Sequence, residues 1–175
     1  VSIVFLLKKK LQYAVVFLVL SILFKSSLLL LSPLFLFVVL HQKYQTQKIL
    51  EAALIAFVFA IAVSFPFHLS IDSPLWLFNL YTQRFLPGEV GSLTANAFNF
   101  WWLVDPGAIL DTQIYMGLSA RMWGIVATLV GYGVTLVIAR KQGMSHKLFL
   151  AFAIVSLITF LFMTRIHERY LYPFF

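Results

Sequence analysis

The sequence predicts an all-α protein, a polytopic transmembrane helical bundle with interfacial or re-entrant helices in an outer loop. Three observations predict it. The chain of 175 residues is 62% hydrophobic and only 11% charged, against about 25% charged in a soluble domain. Several long apolar runs approach the length needed to cross a roughly 30 Å hydrocarbon core. Lys and Arg gather at the ends of these runs, as they do where basic flanks hold a span's cytoplasmic end. Residues 1–175 read as a single transmembrane region.

The first run, Leu11 to Leu40, is too long for one untilted span and is interrupted by Lys25, Ser26 and Ser27. Two readings fit. In one, two half-length helices meet at Lys25 and return both ends to one side. In the other, a single tilted span carries Lys25 within it. The flanks, Lys8 to Lys10 before the run and Lys43 and Lys48 after it, suit the hairpin.

With the hairpin, Ile49 to Phe67 crosses outward, Met122 to Ala139 crosses back, and Leu148 to Met163 crosses outward again. The cytoplasmic side then holds Lys8, Lys9, Lys10, Lys43, Lys48, Arg140, Lys141 and Lys147 against one acid, Glu51. The outer side holds Lys25, Arg84, Arg121, Arg165 and Arg169 against Asp72, Glu89, Asp105, Asp111 and Glu168. The whole net charge of +7 thus falls on one side. It is an orientation signal, and no nucleic-acid partner is expected.

The outer segment from His68 to Arg121 is rich in aromatic residues and cut by Pro66, Pro74, Pro87-Gly88 and Asp105-Pro106-Gly107. Two short helices are predicted between the cuts, Leu75 to Leu86 and Ser92 to Val104. The second would place Ser92, Asn96 and Asn99 on one face, among Phe98, Phe100, Trp101 and Trp102. Such segments lie in the headgroup region. They are either passive interfacial helices or a sugar-binding wall, with amides for hydroxyl groups and rings for the apolar face of a pyranose.

The end of the chain carries the densest polar cluster: Thr164-Arg165-Ile166-His167-Glu168-Arg169-Tyr170-Leu171-Tyr172-Pro173. Each charge left in hydrocarbon would cost about 2.5–3.5 kcal/mol on insertion scales. A polar site at the membrane boundary is one reading and a snorkelling anchor the other. His167-Glu168 does not continue into a zinc-protease motif, because position 171 is Leu. His41, His68 and His146 are isolated, and no metal is assigned. The absence of cysteine rules out disulfides and thiolate sites. No Gly-rich phosphate loop indicates a nucleotide-sugar site.

Three segments, in order, resemble motifs of the polytopic GT-C glycosyltransferases. Thr164 to Pro173 resembles their "MHERYLFP" signature. Ala95 to Trp102, Ala-Asn-Ala-Phe-Asn-Phe-Trp-Trp, is similar to "NAFNLW". Phe24-Lys25-Ser26-Ser27 with the later Pro33 is similar to "FKPQ…P". The resemblance implies a mannosyltransferase-like enzyme. It would move a hexose from a polyprenyl- or dolichyl-phosphate sugar to a glycan, lipid or protein acceptor on the non-cytoplasmic face, with no cofactor. It also implies that the chain is the C-terminal part of a larger membrane domain and inactive on its own. The family's catalytic Asp lies in a first outer loop with no counterpart before Lys8. The catalytic residue is accordingly unknown, and Asp72, Asp105 and Asp111 are weak candidates that read equally as turn or cap residues.

The chemistry of such a donor fits the outer-side residues. A lipid phosphate needs cations at headgroup depth, and Lys25, Arg165, His167 and Arg169 are expected to bind it. Asn96, Asn99 and Glu168 are expected to contact the sugar or order the loop around it. The alternative is a transporter or lipid flippase fragment, which also uses broken helices and intramembrane charge. A purely structural subunit would leave the cluster at 165–169 without a role.

Overall fold

The computed structural model describes residues 1–85, 91–95, 97–105, 109–141 and 144–167, with backbone only at 85, 139–141, 144–146 and 167. The described residues are mostly helical. Two helical stretches are long and apolar enough to cross a membrane, Thr46–Phe67 and Ala120–Ile138. Only 11% and 22% of an 18-residue apolar window within each are buried, whereas the core helix of a water-soluble protein would be buried for most of its length. Their apolar side chains face outward, as lipid-facing helices require. The chain divides into two compact units, Val1–Pro87 and Gly88–Phe175.

In the first unit, α1 (Ser2–Leu7) folds back along α2 (Leu11–Phe24) through a turn in which Lys9 takes a φ of 56°. Phe5 stacks on Tyr13 and Phe17, and the Ser2 hydroxyl donates to the Ala14 carbonyl. Lys25 ends α2 in an extended conformation, and a 3-10 turn, Ser26–Leu31, leads into α3 (Ser32–His41). Pro33 falls in the first turn of α3, where a missing N–H costs nothing. The Gln42 side chain then donates to the Leu6 carbonyl at 3.3 Å. The end of α3 thus meets the end of α1, next to the start of α2. The segment is a hairpin broken at Lys25, not one tilted span.

Helix α4 (Thr46–Ser64) packs on α2 and closes with a 3-10 turn at Phe65–Phe67 that takes up Pro66. Helix α5 (Ser73–Leu80) runs on into a wider π turn, Tyr81–Phe85. It starts two residues earlier than the apolar pattern suggests, because Ser73 fixes the turn before it by donating to the His68 carbonyl. The Tyr81 hydroxyl donates to the Ile22 carbonyl and ties this element to α2.

The second unit is built on an antiparallel pair, α7 (Ala120–Lys141) and α8 (Met144–Phe162). The two helices approach closely at two glycines. A Cβ at Gly131 would lie 2.5 Å from the Ile158 side chain, and one at Gly124 would lie 2.6 Å from the Phe162 carbonyl oxygen. Small residues let helix backbones meet where no hydrophobic force drives them together. Thr135, Ser156 and Thr159 satisfy their hydroxyls on the carbonyls four residues before them, so the interface carries no unpaired group at these positions.

The segment from Gly91 to Ser119 is not the single helix predicted over Ser92 to Val104. It holds β1 (Thr94–Ala95), a short helix α6 (Phe100–Val104), and a hairpin of β2 (Ile114–Tyr115) and β3 (Leu118–Ser119). The hairpin turns on Met116 and Gly117, both at positive φ, as a two-residue hairpin loop requires. The physical reason for the difference is local competition. The Leu93 N–H goes to the Ile109 carbonyl, and the Asn99 side chain accepts from the Trp102 N–H. Asn99 is therefore the N-cap that starts a helix, not a residue within one. Ser92 and Asn99 therefore do not share the predicted helical face, and Asn96 lies outside the described residues.

Candidate functional site

The site lies at the end of the α7–α8 pair formed by the start of α7 and the end of α8. Helix α8 leaves its last carbonyls without partners of its own, and the aromatic segment after β1 supplies them. Asn99, 3% exposed, donates through its amide to the carbonyls of Phe160 and Met163 at 3.3 and 3.2 Å. The Trp101 indole donates to the Phe162 carbonyl at 2.6 Å. Both side chains are thus spent on fixing this segment across the end of α8.

Past α8 the chain makes a turn at Thr164 and Arg165 and enters β4 (Ile166–His167). Strand β4 pairs in parallel with β1, Thr94 opposite Ile166 and Ala95 opposite His167. The start of the aromatic segment and the segment after α8 are therefore joined by backbone hydrogen bonding. Arg165 stands at a φ of 60°, a conformation seldom taken by a residue other than glycine. Its N–H donates to the Leu93 carbonyl at 3.1 Å.

Asp111 holds this turn. Its side chain is fully buried, whereas that of Arg165 is 20% exposed. The guanidinium reaches both carboxylate oxygens, Nε to Oδ2 at 2.6 Å and Nη2 to Oδ1 at 2.9 Å. The Thr164 hydroxyl adds a third donor to Oδ2 at 3.2 Å. The hydrogen bonds from Arg165 to the carboxylate raise the pKa of the guanidinium further above its ordinary value. The Asp111 backbone is used as well: its N–H donates to the Gly91 carbonyl, and its carbonyl accepts from the Arg121 N–H at the start of α7.

Beside the Asn99 cap runs a groove of about 390 Å³, lined by Phe98, Asn99, Phe100, Trp102, Leu103, Leu161 and Phe162. Phe98 and Trp102 meet edge to face at 5.0 Å. Phe98 is 74% exposed. The groove thus presents aromatic surface.

The structure brings together Asn99, Arg165 and the backbone of His167. Lys25 belongs to the first unit, where it forms the break in the hairpin. Asn96, Glu168 and Arg169 lie outside the described residues, as does the side chain of His167. Of the three candidate bases, Asp111 has both oxygens occupied, and Asp105 follows the last turn of α6. Asp72 is exposed in the first unit. Hydrogen bonds from Ser70 and His68 hold its carboxyl below the usual carboxylate range. The His68 ring also stacks on Trp76 at 5.0 Å.

Sequence reasoning missed the partnership of Asp111 and Arg165, because nothing in a local pattern links residues 54 positions apart. The signal that could have raised it is their sign: the chain has only six acidic residues, and a carboxylate buried near an Arg needs that cation. No family model, curated protein or solved structure matches the chain.

Proposed function

We propose that this protein is a multi-pass membrane glycosyltransferase. It transfers a mannose-like hexose from a polyprenyl-phosphate donor to an acceptor on the non-cytoplasmic face. The observation that supports this most is the pairing of β1 with β4, which puts the aromatic segment and the His167 segment side by side at one end of an apolar helix pair. A lipid-phosphate sugar calls for that combination: apolar helices for the tail, rings for the sugar, and cations at headgroup depth for the phosphate.

In the proposed reaction the acceptor hydroxyl oxygen forms a bond to the anomeric carbon as the bond from that carbon to the phosphate oxygen breaks, and the hydroxyl's proton passes to the departing phosphate monoester, which leaves as a dianion able to accept it. The polyprenyl phosphate leaves already charged, so cationic stabilisation takes the place of a general acid. His167 and Arg169 are assigned to the phosphate. The groove at Phe98 and Trp102 is assigned to the sugar, with Asn99 ordering the loop behind it. No described aspartate is assigned as base.

The test uses membranes carrying the intact protein and a polyprenyl-phosphate mannose labelled in the sugar. The reading expects label to pass from the lipid donor to an acceptor. It expects none to come from a nucleotide sugar when the lipid donor's synthesis is blocked. Movement of uncleaved donor across sealed vesicles, without transfer, would favour the transporter reading instead.

A further inference from the structure

We propose that Asp111 is a positioning residue for the donor site, and that Arg165 acts through Asp111 and not on the donor's phosphate. This rests on the reading above for its consequence, but its geometry does not. Asp111 joins three parts of the second unit. Its backbone binds Gly91 and the first turn of α7, and its carboxylate binds Thr164 and Arg165. The turn it holds comes immediately before β4, so the pairing of Ile166 and His167 with β1 depends on how that turn is set.

Three observations carry the assignment. First, a fully buried carboxylate that already accepts three hydrogen bonds from the protein offers an acceptor's proton no access. That excludes the role of base that its residue type suggests. Second, Arg165 gives Asp111 a fork of two N–H groups, the geometry that makes an Arg–carboxylate pair specific. Drawing the guanidinium away to a phosphate would leave a buried carboxylate uncompensated, the costly half of breaking a buried pair. Third, the positive φ at Arg165 persists only where surrounding contacts over-determine it. The ion pair, the Thr164 hydroxyl and the bond to Leu93 are those contacts.

The two roles for Arg165 separate in a charge swap. The intact protein is prepared as the parent, as Asp111→Asn, as Asp111→Glu, and as the double variant Asp111→Arg with Arg165→Asp. Amide hydrogen exchange is followed at 93–95 and 164–167 in detergent, and turnover of polyprenyl-phosphate mannose is followed in membranes. Asp111→Asn is expected to speed exchange at 166 and 167 by about tenfold or more, the effect of weakening one charge-assisted bond. It is expected to raise the KM for the donor more than it lowers kcat. Asp111→Glu, which keeps the charge, should recover part of both. The swap, which restores the pair with Asp at the positive-φ position that Asp tolerates better than Arg, should recover protection and turnover together.

Unchanged exchange in Asp111→Asn overturns the proposal without recourse to activity. So does a swap that regains protection but no turnover, because Arg165 would then be needed at its own position. If the swap does not fold, the ranking parent, Glu, Asn in both measurements decides. If the parent transfers no sugar while the exchange ranking holds, the glycosyltransferase reading fails and the control of β4 by Asp111 stands.

Discussion

Asp111 and Arg165, 54 residues apart, meet through two hydrogen bonds of 2.6 and 2.9 Å that use both oxygens of a fully buried carboxylate. Removing one partner of such a pair strands the other and costs about 3–5 kcal/mol. Asp111→Ala is therefore expected to lower the thermal midpoint of the protein in detergent sharply. Replacing both, as Asp111→Leu with Arg165→Met, should be much milder, because no charge is left stranded. Thermal unfolding of the two variants at equal purity checks this. Equal losses in the single and double variants would contradict it.

Asn99 does two jobs with two ends of one side chain. Its carbonyl oxygen caps α6, while its amide donates to the carbonyls of Phe160 and Met163. Loss of the cap alone costs about 0.5–2 kcal/mol. Asn99→Asp keeps a cap acceptor but removes the donor and turns a negative charge toward two carbonyls. It should consequently be at least as damaging as Asn99→Ala, against the usual order for N-caps. Unfolding of both variants tests this, and an Asp variant as stable as the parent would sink it.

Gly124 and Gly131 both lie at the α7–α8 contact but face different obstacles. A methyl at Gly131 meets the branched side chain of Ile158, which can be shortened, and a methyl at Gly124 meets the backbone carbonyl of Phe162, which cannot. Overpacking costs roughly 1–3 kcal/mol. Ile158→Ala should relieve Gly131→Ala, and no side-chain change should relieve Gly124→Ala to the same degree. Thermal midpoints of the single and paired variants give the comparison.

The chain's lack of cysteine makes single-cysteine labelling clean. Positions 43 and 84 should label from opposite sides of a sealed membrane, and so should positions 141 and 116. In the proposed topology the basic residues beside 43 and 141 lie at the cytoplasmic ends of α4 and α7. Labelling of both members of either pair from one side would contradict the proposed topology.

The helices could be read in the sequence because apolar runs bounded by Lys, Pro or Ser survive any tertiary context. Even the break at Lys25 was marked by the polar triplet Lys25-Ser26-Ser27. The segment Ser92 to Val104 was misread for a definite reason. Asn spacing of three and four residues fits a helix, but Asn99 takes part in a cap and Thr94–Ala95 in a parallel pair with residues far down the chain. Non-local partners leave no period. The candidate site is legible as two polar and aromatic stretches, not as their pairing, and Asp111 by itself has the pattern of a turn residue.

In the proposed function the segment entered through β4 binds the phosphate of a lipid-linked sugar. Arg169 tests it most directly, through donor-dependent turnover by the intact protein with Arg169→Ala and Arg169→Lys at matched expression. A charge-assisted contact to a buried phosphate is worth about 1.5–3 kcal/mol. At 1.4 kcal/mol per decade, the Ala variant is expected to use polyprenyl-phosphate mannose about ten- to a hundredfold less well. The Lys variant should recover only in part, because the guanidinium fork is lost. Turnover equal to the parent in both variants would contradict the account and leave these cations as membrane anchors.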